Sequence, residues 1–205
     1  MTPMTTGHSP RAEANRRHIL DVALTELLRD PDASMDQIAR AAGVVRRTVY
    51  GHFPSREALI STLVDGAVEA VAAADAAGRE GIDDLAQAVA GSVLAVWKVA
   101  DRYRILVALA QRSVTMEGII ERLTPVRQAS TELLQRGLDE GVFVSPLPAP
   151  ALAYVHEQMM FAVMEAVNHG LLDAEEAGRS AAVIVLTAAG VPASLATALV
   201  AKLSD

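Results

Sequence analysis

The stretch GVVRRTVYGHF, residues 43–53, concentrates side chains suited to meeting another molecule. Arginine's planar fork donates two parallel hydrogen bonds, which matches the O6 and N7 edge of guanine in the DNA major groove. Arg46 and Arg47 are adjacent here. Thr48, Tyr50 and His52 each carry a group able to donate to a phosphate oxygen, a contact that fixes position without reading sequence. Arg56 stands at the start of the next expected helix, where the macrodipole also favours an anion. An arginine pair alone could equally be the solvated face of a surface helix, so the setting has to decide.

That setting is a helix, a glycine and a second short helix. Ser34 is placed to cap the first amides of the segment SMDQIARAAG, and Gln37 three residues later completes a capping-box pattern. Met35, Ile38, Ala39 and Ala42 fall on one face, and Gly43 makes the turn. A helix over about 45–52 follows, closed by Phe53-Pro54. At about 100° per residue, Val45, Val49 and Phe53 share its inner face. Arg46, Arg47 and Tyr50 project from the opposite side, with Thr48 at the border. This is a helix-turn-helix arrangement, whose second helix enters the major groove.

Charge is distributed to match. The formal net charge is −7, yet residues 1–60 carry eight arginines against seven acids, and the remainder carries 10 Lys and Arg against 18 acids. An acidic body repels phosphate, so any nucleic-acid contact belongs to the N-terminal part.

The rest of the chain has helical periodicity throughout. Residues 11–29 place Ile19, Val22, Ala23, Leu27 and Leu28 on one stripe, ended by Pro31. A helix capped by Ser55 runs to Ala77-Gly78. Further helices are expected near 82–99, 101–112, 116–139, 150–170, 174–189 and 193–203, with breaks at Asp101 and Ser113-Val114 and a kink at Pro125. The fold class is therefore all-α: an N-terminal three-helix domain over 11–56 and a larger helical domain over 57–205. Residues 1–10 read as a disordered tail.

The segment IARAAGVVRRTVYGHFPSREALI resembles the DNA-binding signature of the tetracycline-repressor (TetR) family of bacterial transcriptional regulators. The shared positions are Ile38, Ala39, Ala42, Gly43, Val44, Thr48, Tyr50, His52, Phe53, Ser55, Glu57 and Leu59, within a match over about 15–63. The resemblance implies a homodimer, paired through its last two long helices, that sets one recognition helix of each subunit on a palindromic DNA operator. It also implies a C-terminal domain that binds a small-molecule effector. Carried over by position, Arg46 and Arg47 approach bases, while Ser34, Thr48, Tyr50, His52 and Arg56 hold phosphates. Val45 departs from the pattern, since it stands where a serine cap is common and valine caps poorly. Asp36 adds an anion near the expected phosphates.

In the body, Trp97, Tyr103, Met116, Ile120, His156, Met160 and Met164 are candidates for an apolar effector cavity. Each could equally be core, since methionine fills irregular gaps and a lone tryptophan is often a packing anchor. The alanine- and valine-rich helices at 150–170 and 174–189 suit either a dimer seam or internal packing.

Several classes find no support. There is no cysteine, no histidine pair at metal-binding spacing, and no GxSxG, P-loop or GxGxxG motif. No metal, cofactor or catalytic residue is expected, and the protein is not read as an enzyme. With no long uncharged apolar run and no signal-peptide pattern, the expectation is a cytoplasmic protein without a membrane partner. The competing function is a helical binding protein whose DNA motif is vestigial, acting through protein or lipid contacts.

Overall fold

The computed structural model describes residues 10–110 and 116–204, and every regular element among them is helical. The helices are α1 (Pro10–Arg29), α2 (Met35–Ala41), α3 (Arg46–His52), α4 (Arg56–Arg79), α5 (Leu85–Ala110), α6 (Met116–Arg122), α7 (Thr124–Asp139), α8 (Ala149–Asn168), α9 (Ala174–Ala188) and α10 (Ala193–Ser204). They form two compact units, residues 10–64 with 106–110, and residues 65–105 with 116–204. No helix among the described residues is long and apolar enough to cross a membrane. Most of the expected tail, residues 1–9, lies outside the described residues, and Pro10 already belongs to α1.

In the first unit α2 starts with the expected capping box. The Gln37 amide donates to Ser34 Oγ at 3.3 Å, and the Ser34 amide donates to Gln37 Oε1 at 2.7 Å. The end of α2 is a Schellman turn: Gly43 has φ +66°, its amide donates to the Arg40 carbonyl, and the Val44 amide donates to that of Ala39. Ile19, Ala23, Leu24 and Leu27 of α1, Met35, Ile38 and Ala39 of α2, and Val49 and Phe53 are buried. Leu24 takes a core place on α1, while Val22 and Leu28 are half-buried.

Val45 departs from the expected inner face of α3, because 66% of it is exposed. It is the N-cap, with extended backbone at φ −77° and ψ 148°. Outside the helical period, its side chain leaves the stripe that buries Val49 and Phe53. It supplies no side-chain cap, and the Thr48 amide donates to its carbonyl at 2.8 Å.

Beyond α4 two expected boundaries move. The helices near 82–99 and 101–112 are one helix, α5. Asp101 sits inside it and accepts from Arg104 Nε at 2.8 Å, so its carboxylate is paired along the helix face instead of breaking it. The expected break at Ser113-Val114 lies outside the described residues. The helix expected over 116–139 divides into α6 and α7 at Leu123. Pro125 produces no mid-helix kink; it occupies the first turn of α7, where its missing N–H has no intrahelical acceptor to lose.

The core of the second unit brings together Val89 of α5, Leu134 of α7, Phe143, Leu152 of α8, Leu186 of α9 and Val200 of α10. A neighbouring cluster joins Trp97 to Val163, Met164, Ala177 and Ala181. Trp97 Nε1 donates to the Ala174 carbonyl at 3.2 Å, and its ring lies on Gly178 of α9. A Cβ at Gly178 would come within 2.6 Å of Trp97 Cδ1. Gly178→Ala should therefore cost about 1–3 kcal/mol by overpacking. Urea unfolding followed by the fluorescence of Trp97, the sole tryptophan, measures this. Unchanged stability would show that the ring has room to withdraw.

Candidate nucleic-acid interface and ligand cavity

Helix α3 carries the first site. Its buried side is Val49, followed by Phe53 at its end, and Arg46, Arg47 and Tyr50 are exposed on the other side. Among the described residues Arg47 makes no hydrogen bond or ion pair, so its whole fork is available to a ligand. Thr48 and His52 are half-buried. They line an open groove with Val45 and with Arg11, Asn15 and His18 of α1. These three α1 residues were not legible in the sequence, because nothing local says that α1 borders α3.

Arg46 has partners within the protein. Its Nη1 lies 3.0 Å from Asp36 Oδ2, and its guanidinium sits over the Tyr50 ring at 5.0 Å. Both ends of the ion pair are about half exposed or more, so the pair is worth little in water. Asp36, which looked like an obstacle to phosphate, thus holds the arginine beside it on the exposed face.

Two of the expected phosphate holders are engaged within the protein. Ser34 spends its hydroxyl on the α2 cap, also bonding Gln37 Oε1 at 2.7 Å. Arg56 donates from Nε to the Ala33 carbonyl at 3.2 Å and from Nη2 to that of Pro31 at 2.5 Å. It ties α4 to the loop between α1 and α2.

The second site is a cavity of about 110 Å³ within the second unit, lined by residues of α4, α5, α7, α8 and α9 and by Leu123. Its wall is mostly apolar, with Val89, Val93, Val126, Leu133, Met160 and Val185 among its residues. Two ion pairs border it. Arg127 Nη1 meets Glu157 Oε1 and Oε2 at 2.8 and 2.7 Å, and Arg79 Nη2 meets Asp75 Oδ2 at 2.9 Å. Asp75 is buried and its Oδ1 accepts from the Ser92 hydroxyl. His156 is also buried, and its Nε2 has no hydrogen-bond partner among the described residues.

Of the seven effector candidates, His156 and Met160 line this cavity. Trp97 and Met164 pack in the neighbouring apolar cluster. Tyr103, Met116 and Ile120 are half-buried and do not line it. The paired residues Arg127 and Glu157 were not legible, since they stand thirty positions apart on different helices; Asp75 pairs with Arg79 within α4, and nothing local places that pair at a cavity.

Burial sets the electrostatics. It lowers the His156 pKa from 6.5 to about 4, because the apolar wall disfavours the imidazolium. It pushes the Glu157 carboxyl above its ordinary value, with Arg127 opposing in part. The folded protein therefore keeps His156 neutral down to about pH 4, while the unfolded chain protonates it below about 6.5. Stability from this group is full above pH 6.5 and is lost as pH falls toward 4; Glu157 acts in the opposite sense. Wild type should thus lose about 3 kcal/mol more than His156→Leu between pH 7 and pH 4, read by urea unfolding at each pH. Equal losses in the two proteins would contradict a neutral buried ring.

Comparison with known proteins agrees with this geometry. Residues 19–63 match the model of the family described as bacterial regulatory proteins, tetR family. The chain is 45% identical over 51 residues to the HTH-type transcriptional repressor LfrR of Mycolicibacterium smegmatis, covering 25% of this chain and 27% of LfrR. It is 50% identical over 44 residues to the uncharacterized HTH-type transcriptional regulator TtgW of Pseudomonas putida, covering 20% of this chain and 33% of TtgW. These alignments span between a quarter and a third of each curated relative. In fold, the chain is similar to the fatty acid degradation regulator FadR from Bacillus halodurans, with a TM-score of 0.73 at 19% identity over 88% of this chain and 97% of FadR. It is also similar to the TetR-like regulator LfrR solved in complex with proflavine, with a TM-score of 0.66 at 22% identity over 86% of this chain and 96% of that one. The family likeness thus lies in the N-terminal helix-turn-helix, residues 19–63, which matches the tetR family of bacterial regulatory proteins.

Proposed function

We propose that this protein is an effector-responsive transcriptional repressor that binds a palindromic operator as a homodimer. The observation that carries the reading is the division of α3, which buries Val49 and Phe53 while exposing Arg46, Arg47 and Tyr50. In the major groove, Arg46 exchanges Asp36 for a base edge, and Arg47 brings an unoccupied fork. Thr48, Tyr50 and His52 bond phosphates, and the α1 residues along the groove add backbone contacts. Ser34 and Arg56 act chiefly by holding α2 and α4 in place. The two copies of α3 stand about 34–36 Å apart, one turn of DNA.

The effector site is the cavity bordered by His156 and the Arg127–Glu157 pair, and a small, mostly apolar molecule is its ligand. That LfrR was solved with proflavine supports a ligand site in this fold. The ligand releases DNA to the extent that it favours a conformation unable to span both half-sites, a coupling of about 1–3 kcal/mol. Val71 and Asp75 of the cavity wall lie on α4, so a ligand there touches the helix that begins at Arg56.

Dimerisation uses the outer faces of α8 and α9. Ala181, Ala182, Val185 and Leu186 are consumed by internal packing. The outward apolar residues are Tyr154 and Ile184, 48% and 43% exposed. Ile184→Glu should convert the dimer to monomer in light scattering, with an unchanged helical spectrum. A persistent dimer would place the interface elsewhere.

The DNA reading is tested by titrating operator and random duplexes with variants. Arg47→Ala should cost about 1–3 kcal/mol on operator and relax specificity at one base position. His52→Ala should weaken all duplexes alike and flatten the salt dependence. Unchanged operator and random binding by Arg47→Ala would remove Arg47 from base reading.

A further inference from the structure

The polar groups around the cavity differ in how fully they are engaged. Arg127 has both carboxylate oxygens of Glu157 on Nη1, while its Nη2 donates to Thr124 Oγ1 at 3.1 Å. An anionic ligand would have to take Arg127 from Glu157. Asp75 has Arg79 on one oxygen and the Ser92 hydroxyl on the other, and Arg79 Nη1 also donates to the Ala129 carbonyl at 3.1 Å. A cation would have to take Asp75 from both. Breaking either pair strands a charge in an apolar wall, a costly exchange. The wall thus selects against ions of both signs.

His156 is different. It is 94% buried, it lines the cavity, and its Nε2 has no partner among the described residues. Burial keeps the ring neutral, so Nε2 is either an acceptor or a donor according to the tautomer. A hydroxyl group is both donor and acceptor and bonds either tautomer. Apart from the Ser130 hydroxyl on α7, the remaining wall is valine- and leucine-rich, with a methionine thioether able to lie against an aromatic ring. An apolar cavity of about 150 Å³ holds benzene, so about 110 Å³ is the scale of a single ring.

We propose that the cavity recognises a neutral monocyclic phenol, its ring against Met160 and the valine wall and its hydroxyl hydrogen-bonded to His156 Nε2. This rests on the reading of the cavity as the effector site and names the effector's chemical class. The hydroxyl selects because burying the ligand without it leaves the imidazole nitrogen unpaired.

Phenol and toluene have the same number of heavy atoms, and toluene is the more apolar. A preference for phenol therefore runs against the hydrophobic term and reports the hydrogen bond. The experiment is calorimetric titration of the full-length protein with phenol, toluene and benzoate at pH 7. Phenol should bind about tenfold more tightly than toluene, and benzoate should be weaker than both. In His156→Leu the preference for phenol should vanish while toluene binding persists. If that variant does not fold, the ring-nitrogen NMR signals of His156 in the wild type should shift with phenol and stay put with toluene. Equal wild-type affinities, tight benzoate binding, or a preference retained in His156→Leu would overturn the assignment.

The operator titration separates this from the broader reading. Preferential phenol binding without DNA release would leave the hydroxyl site standing and refute the effector role. Release by phenol and toluene alike would keep the effector role and refute hydroxyl recognition.

Discussion

A seven-residue helix does not hold itself together in water, because nucleation costs more than its few hydrogen bonds return. Helix α3 persists through the burial of Val49 and Phe53, which are 0% and 1% exposed. Arg16 of α1 lies over the Phe53 ring at 5.4 Å and closes that contact from outside. The direction of α3 is fixed by the Schellman turn at Gly43, whose positive φ a side chain would strain. The capping box at Ser34, the loop contacts of Arg56 and the core of α1 all serve to seat this one short helix.

The electrostatic design follows from that seating. A largely acidic protein gathers exposed arginines on a helix face and keeps one of them beside Asp36 and Tyr50. An exposed pair of this kind is weak enough to exchange for a nucleic acid. In the second unit the logic is reversed. Arg127 and Asp75 are buried or largely buried, doubly engaged and costly to separate, so they shape the cavity wall that the neutral His156 shares.

Local patterns were legible in the sequence. Ser34 and Gln37 announced the start of α2, Gly43 its end, and the alternation of Val49 with Arg46, Arg47 and Tyr50 the two sides of α3. Val45 leaves the inner face because helical periodicity begins one residue after it, and it is a cap with extended backbone. Asp101 and Pro125 differ from expectation for a related reason. A residue type suggests a break, but its partner or its position within the first turn decides. The cavity was legible only through His156 and Met160. Its Arg127–Glu157 pair joins two helices, and no local spacing encodes it, whereas Asp75 and Arg79 stand at i,i+4 on α4 with nothing local to place them at a cavity.

The central claim is that the exposed face of α3 reads duplex DNA. Fluorescence anisotropy of duplexes tiling the DNA beside the protein's own gene, titrated with full-length protein at several salt concentrations, tests it most directly. The account predicts that one duplex binds saturably, at least about 10³-fold more tightly than random DNA, with log K falling linearly against log salt. Absence of binding at low salt, or equal binding to every duplex, would contradict it.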